Sequence, residues 1–188
     1  EKVDTSDEWI KKRTGISERR LLDSDKAAYT LGVEAALKAL EASNTSSDEI
    51  DMIIVTTCTP DYLTPSTACL IQREIKAINA AAIDLNAACT GFIYGLSVAE
   101  KFILTNSCNK VLVVACEGLS KVTDWEDRNT CVLFADGAGA AVLGRTEQGT
   151  GIISTCLGSD GNLAHNITIP NCYLDEIDVQ NRLHENKK

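Results

Sequence analysis

The stretch "AAAIDLNAACTGFIYGLSVAEKFILTNSCNKVLVVACEG", Ala80 to Gly118, holds two short apolar runs, AAAIDLNA and KVLVVACEG, around a helix-spaced segment. Leu96, Ala99 and Ile103 recur three and four residues apart, which lines up one face of a helix. The flanking runs are apolar throughout, the pattern of strands buried on both faces. Two such strands joined by a helix lie parallel, because parallel pairing needs a long crossover. Ala77 to Ala99 is apolar enough to raise the question of a membrane span. It also holds Asn79, Asp84, Asn86, Thr90, Ser97 and two glycines, so strand, turn and helix account for it better.

The same alternation extends outward. "DMIIVTTCT", Asp51 to Thr59, predicts another buried strand, and "PSTACLIQREIK" predicts a helix starting at Pro65 with Ala68, Ile71 and Ile75 on its inner face. Further upstream, "DKAAYTLGVEAALKALEAS" places Val33, Ala36, Leu37 and Leu40 on one stripe and Lys26, Thr30, Glu34, Lys38 and Glu41 on another. "TSDEWIKKRTG" predicts a short helix capped by Thr5 or Ser6 and stopped by Gly15. Downstream, "TCVLFADGAGAAVLGRTE" and "GIISTCLGS" are expected to add two strands around a glycine-rich turn. The fold class is therefore α/β, a mainly parallel central sheet covered by helices, in one domain over residues 1–188.

Of the 188 residues, 44% are hydrophobic and 24% charged, the composition of a globular chain with a real core. The formal net charge of −9 argues against a general affinity for nucleic acid or an anionic membrane, since both require a basic surface. Any anion site is local, and the basic runs Lys11-Lys12-Arg13 and Arg19-Arg20 are each expected to be a solvated helix face. None of the eight cysteines forms a C-x-x-C pair and most lie in apolar runs, so neither disulfides nor a zinc or other metal site is expected. Free thiols point to a reducing compartment, the cytoplasm, and no signal peptide is expected.

One thiol stands apart. Cys89 falls where a strand ends and a helix begins, and open α/β sheets bind ligands at the carboxyl ends of their strands. The free amides and dipole of a helix N-terminus favour a thiolate there, and Gly91 allows a substrate or backbone to come close. Cys69 falls mid-helix, and Cys116, Cys131 and Cys156 are expected mid-strand, where nothing stabilises a negative charge. "FADGAGAAVL", Phe134 to Leu143, is not a dinucleotide loop, because the run after its glycines looks like a strand and not a helix. Those glycines are expected to permit tight packing near the site.

Four stretches together, "VDTSDEWIKKRTGI", "AIDLNAACTGFIYGLSVA", "DRNTCVLFADGAGAAVL" and "GIISTCLGSDG", resemble β-ketoacyl-acyl-carrier-protein synthase III of bacterial fatty-acid synthesis, in the same order and spacing. The resemblance covers all but about the last fifteen residues and implies one half of the duplicated thiolase-like architecture. It implies that Cys89 attacks the thioester of a short acyl-CoA, forming an acyl-enzyme that condenses with malonyl-acyl-carrier protein. It also implies that Trp9 and Arg128 hold the adenine of CoA between them and that Arg13 contacts its phosphates, with Thr5 and Thr14 in the same segment. Stacking a purine between an indole and a guanidinium is physically sensible. The implied partners are acyl-CoA, the acyl-carrier protein and a second copy in a homodimer; acyl-CoA is a substrate, and no cofactor is expected.

The chain departs from the family in two ways. The histidine and asparagine that stabilise the enolate in the second half-reaction have no match; His165 and His184 are read as loop residues. The family's first strand and C-terminal half are thus expected outside residues 1–188, leaving an exposed sheet edge. Many relatives also carry an aromatic residue before the proline of "DYLTPSTA", where this chain has Thr64, and a smaller residue there leaves room for longer or branched acyl groups. The competing readings are a polyketide-starter or hydroxymethylglutaryl-CoA-type synthase of the same superfamily, and a non-catalytic dimerisation fragment.

Overall fold

The computed structural model describes residues 3–147 and 150–170, in two compact units, Glu1–Ile153 and Ser154–Lys188. In the first unit α1 (Asp7–Thr14) and α2 (Tyr29–Ala42) precede β1 (Met52–Thr56), α3 (Thr67–Ile75) and β2 (Ala81–Leu85). Then come α4 (Gly91–Leu104), β3 (Lys110–Gly118) and β4 (Asp136–Gly144). The sheet order is β2-β1-β3-β4; β1 pairs in parallel with β2 and β3, and β4 runs antiparallel to β3.

The apolar runs become strands because both sides of the sheet are covered. Every residue of β1 is buried: Ile53 and Val55 pack with Leu112, Val114 and the inner residues of α2 and α3, while Met52 and Ile54 pack with Val111, Val113 and α4. Successive side chains of a strand point to opposite faces, so one unbroken apolar segment feeds two cores. On α3, Ala68, Ile71 and Ile75 are buried as their spacing predicts. On α2 the buried stripe is Gly32, Ala36 and Leu40, whereas Leu37, expected to join it, is half exposed.

Three helix starts are held by side chains. Ser6 accepts from the Trp9 amide at 3.1 Å, and Gly15 ends α1 in the left-handed region at φ 74°. The other two caps come from distant carboxylates. Asp61 accepts from the amides of Ala28 and Tyr29, both at 2.8 Å, at the start of α2, and Asp84 of β2 accepts from Thr67 and Ala68 at 2.7 and 2.8 Å at the start of α3. Amide donors satisfied by an acceptor of opposite charge to the helix end stabilise both helices.

Several expectations are corrected. β2 is not a buried strand but an edge strand, with Ala81, Ile83 and Asp84 exposed, because among the described residues nothing pairs beyond it. The glycine-rich run is no turn: Gly137 and Gly139 lie inside β4, opposite Glu117 and Ala115. They do not serve close packing among the described residues either, since no atom lies within 4 Å of a Cβ built on Gly137 or Gly139. "GIISTCLGS" forms no strand, so Cys156 is exposed in irregular chain, and Cys131 is buried in the turns before β4 instead of mid-strand. The second unit carries a 3₁₀ turn at Gly161–Asn166, begun by Asp160, whose side chain accepts from the Asn162 amide. Among the described residues no helix is long and apolar enough to cross a membrane.

Candidate active site

Cys89 is exposed, in a 3₁₀ turn, Ala88–Thr90, that joins β2 to α4, so the α-helix itself starts two residues later than the thiol. Ala88 has φ 45°, a left-handed conformation that is costly for a residue with a Cβ. The other described non-glycine residues with positive φ, Asn44, Lys76 and Asn106, all follow the last turn of a helix. Ala88 alone among them sits at a strand-to-helix junction, one residue before the candidate nucleophile, and backbone outliers of this kind cluster at functional sites. No local signal in the sequence marks it.

Around this turn Asn86 Oδ1 accepts from the Ala88 amide at 3.2 Å, and Thr90 donates its hydroxyl to the Ala87 carbonyl at 2.9 Å. Thr90, at the N-cap of α4, therefore makes no capping hydrogen bond. Gly91 and Gly95 let the helix lie against the sheet. A Cβ on Gly91 would stand 3.1 Å from Thr56 Cβ, and one on Gly95 would stand 2.9 Å from both Thr56 Cγ2 and Val113 Cγ1. The close approach expected at Gly91 is thus filled by the β1 side chain Thr56.

A second cluster forms around Trp9 of α1. Arg128 lies over the indole at 4.4 Å from its centroid and Arg13 at 5.2 Å, both within the range of a cation–π contact. Arg128 is presented by a turn in which Asp127 accepts from the Asn129 amide at 2.9 Å and the Thr130 hydroxyl at 2.7 Å. The hydrogen bond from Thr130, then those from Asn129, hold the Asp127 carboxyl below its ordinary range. Arg128 covers Trp9 directly, so a purine stacked between them requires the guanidinium to swing aside.

Thr5 lines a mainly apolar cavity of about 320 Å³ with Ile10, Arg19, Leu21, Trp125 and Val132, and its buried hydroxyl has no hydrogen-bond partner. Thr14 uses its hydroxyl locally, donating to the Ile10 carbonyl at 2.8 Å and accepting from the Ile16 amide. Arg19 is not on a solvated helix face: it lies past α1, half-buried, and donates to the carbonyls of Cys131 and Phe134 at 2.5 and 2.8 Å. Thr64 is exposed in the loop between β1 and α3. His165 is in the Gly161–Asn166 turn of the second unit, and His184 lies outside the described residues.

Two carboxylates carry no signal in the sequence. Asp136, at the start of β4, accepts from the amides of Leu22 and Ser120 at 2.6 and 2.7 Å and from the Ser120 hydroxyl. Burial pushes its carboxyl up, but these hydrogen bonds outweigh that and leave it below its ordinary range. Glu117, near the end of β3, gathers the chain that leaves β1. It accepts from the hydroxyls of Thr57 and Thr59 at 3.2 and 2.5 Å and from the amides of Cys58 and Thr59 at 2.9 and 3.1 Å.

With a cysteine on a strained turn and a cation-flanked indole in place, the likeness to known proteins becomes specific. Residues 83–161 match the model of the family described as 3-oxoacyl-[acyl-carrier-protein (ACP)] synthase III. A β-ketoacyl-[acyl-carrier-protein] synthase III of Caldanaerobacter subterraneus subsp. tengcongensis is 55% identical over 159 residues, 85% of this chain and 48% of that protein. Over the stretch compared, the chain is similar to the synthase III family. The solved β-ketoacyl-[acyl carrier protein] synthase III of Thermus thermophilus superposes with a TM-score of 0.82 at 45% identity, covering 87% of this chain and 50% of that one. A priming β-ketosynthase of the R1128 polyketide pathway superposes with a TM-score of 0.75 at 41% identity, covering 77% of this chain and 43% of its own. The fold is accordingly thiolase-like, and the chain spans about half the length of the synthase III relatives it matches.

Proposed function

We propose that the complete protein is an acyltransferase that starts fatty-acid synthesis, with Cys89 as the acyl acceptor. The Cys89 sulfur attacks the carbonyl carbon of a short acyl-CoA, the carbon–sulfur bond to CoA breaks, and CoA leaves as a thiolate that takes up the displaced proton. The acyl group then resides on Cys89 as a thioester. Loss of CO₂ from malonyl-acyl-carrier protein generates a carbanion that attacks this thioester, forming the new carbon–carbon bond and releasing the Cys89 sulfur.

The observation that carries this reading is Trp9 with Arg128 at 4.4 Å and Arg13 at 5.2 Å, on the same chain as an exposed cysteine at a strand-to-helix junction. An indole beside two guanidiniums suits a ligand that is both a planar base and a polyphosphate. In this reading Thr5 adds its unpaired hydroxyl to the CoA site and Thr64 borders the acyl pocket. Acyl-CoA is a substrate, and no separate cofactor is required. The exposed edge of β2 and its exposed Ile83, with Ile78 and Ile93 also exposed, support association with a second copy, because an unpaired apolar edge invites pairing. The free thiols of the seven described cysteines support a cytoplasmic location. An acidic, non-basic chain is no general partner for nucleic acid or membranes.

Incubation of the full-length protein with acetyl-CoA, followed by peptide mass spectrometry, tests the reading. It predicts an acetyl adduct on Cys89 that is absent from Cys89→Ala; a folded protein without that adduct favours a non-catalytic module instead. Repeating the reaction with a longer or branched acyl-CoA tests Thr64, and a strict preference for acetyl removes it from the acyl pocket.

A further inference from the structure

The carboxyl ends of β1 and β2 are adjacent. Thr56 pairs with Leu85, and the Thr57 amide donates to the Leu85 carbonyl at 3.2 Å. Each strand is followed within four residues by a cysteine, Cys58 after β1 and Cys89 after β2. Both cysteines therefore leave the same end of the sheet, on neighbouring strands. An acyl-transfer site with two neighbouring thiols has a selectivity problem, since thiols and thioesters exchange through whichever sulfur ionises.

The half-buried Cys58 is tied down. Glu117 accepts from its amide at 2.9 Å and from its thiol at 3.5 Å, and holds the residues on either side through Thr57 and Thr59; the Gly118 amide in turn donates to the Thr59 hydroxyl at 2.9 Å. We propose that Glu117 is a positioning residue that fixes Cys58 as a hydrogen-bond donor, so that of the two sulfurs at these strand ends only Cys89 takes the acyl group. The proposal rests on the reading of Cys89 as acyl acceptor. It gives a five-contact carboxylate a role beyond the loop it anchors. Burial, and after it the Glu117 charge and hydrogen bond, push the Cys58 thiol from 9.0 up to about 11, in keeping with a sulfur that stays protonated.

Iodoacetamide labelling of the full-length protein, resolved by cysteine and followed from neutral pH to about pH 11, tests it. In the wild type Cys58 labels only toward the alkaline end, with the exposed Cys69 as reference. In Glu117→Gln the Cys58 curve moves to lower pH, and its rate at neutral pH rises about tenfold against Cys69, the equivalent of one unit in pKa. A Cys58 curve that does not move overturns the proposal, and so does a rise equal at every pH, the mark of a merely loosened loop. Should Glu117→Gln lose its cooperative thermal transition, Glu117→Asp, which withdraws the carboxylate by one methylene, is read the same way and predicts a smaller shift in the same direction. With acetyl-CoA, the wild type carries the acyl group on Cys89 alone and Glu117→Gln on Cys58 as well. If wild-type Cys89 takes no acyl group the functional reading fails, while the labelling curve still decides the role of Glu117.

Discussion

The two strand ends that meet at the candidate site are built from similar sequence and treated in opposite ways. After β1, Cys58 is half-buried and bonded to Glu117, and the helix that follows its loop, α3, has its first amides capped by Asp84. After β2, Cys89 is exposed on a strained turn, and Thr90 leaves the N-cap of α4 without a capping side chain. Both junctions are a strand, a cysteine and a helix. The difference lies in where carboxylates are placed: two close off the first junction and none is supplied by Thr90 at the second. A carboxylate beside a thiol suppresses negative charge on it, and Glu117 stands in that position at the first junction.

The largest expected effect comes from disturbing how α4 meets the strand ends. Gly95→Ala places a methyl group 2.9 Å from Thr56 Cγ2 and Val113 Cγ1, and neither buried β-branched neighbour can retreat easily. Overpacking of this kind costs about 1–3 kcal/mol, read as a lower denaturation midpoint with the same m-value. The pivot of α4 also moves the Cys89 turn, so acyl transfer falls along with stability. Full activity in a destabilised Gly95→Ala would uncouple the turn from the helix and break the comparison.

A smaller effect sharpens it. Thr90→Asp gives the second junction the kind of cap the first already has, and a carboxylate at a helix N-terminus stabilises by about 0.3–1 kcal/mol. The same charge a few ångströms from Cys89 opposes an attacking thiolate by about 1 kcal/mol, roughly fivefold in alkylation rate. Stability should rise while Cys89 reacts more slowly. A variant that is both more stable and as reactive as the wild type would show that charge at the start of α4 does not reach the thiol.

How much of the fold and site is legible in the sequence depends on whether the signal is local. β1, β3, α3 and the cap and stop of α1 are plain in short windows, because burial on both faces or on one stripe writes itself into spacing. β4 is legible in its second half, Ala140 to Gly144, but not at Gly137, Ala138 and Gly139, which carry too little side chain to show alternation, and its antiparallel pairing with β3 arises from the register alone. The edge position of β2 is equally invisible, because its apolar residues read the same whether or not another strand covers them. Trp9, Arg13 and Arg128 are pointed out by family resemblance, while their convergence across more than a hundred residues is a property of the fold. The carboxylates Asp61, Asp84, Glu117 and Asp136 all act on chain many residues away, and no motif announces such a partner. Arg19 looks like half of a solvated pair for the same reason, as its acceptors lie beyond residue 130.

The most direct test is a race between the two sulfurs. The native protein is exposed at neutral pH to a limiting amount of iodoacetamide, and each cysteine is then quantified by peptide mass spectrometry. The expected result is that Cys89 is labelled well ahead of Cys69 and Cys156, which are also exposed, with Cys58 far behind all three. Labelling of Cys58 at the rate of Cys89, or of Cys89 no faster than Cys69, would contradict the account at its centre.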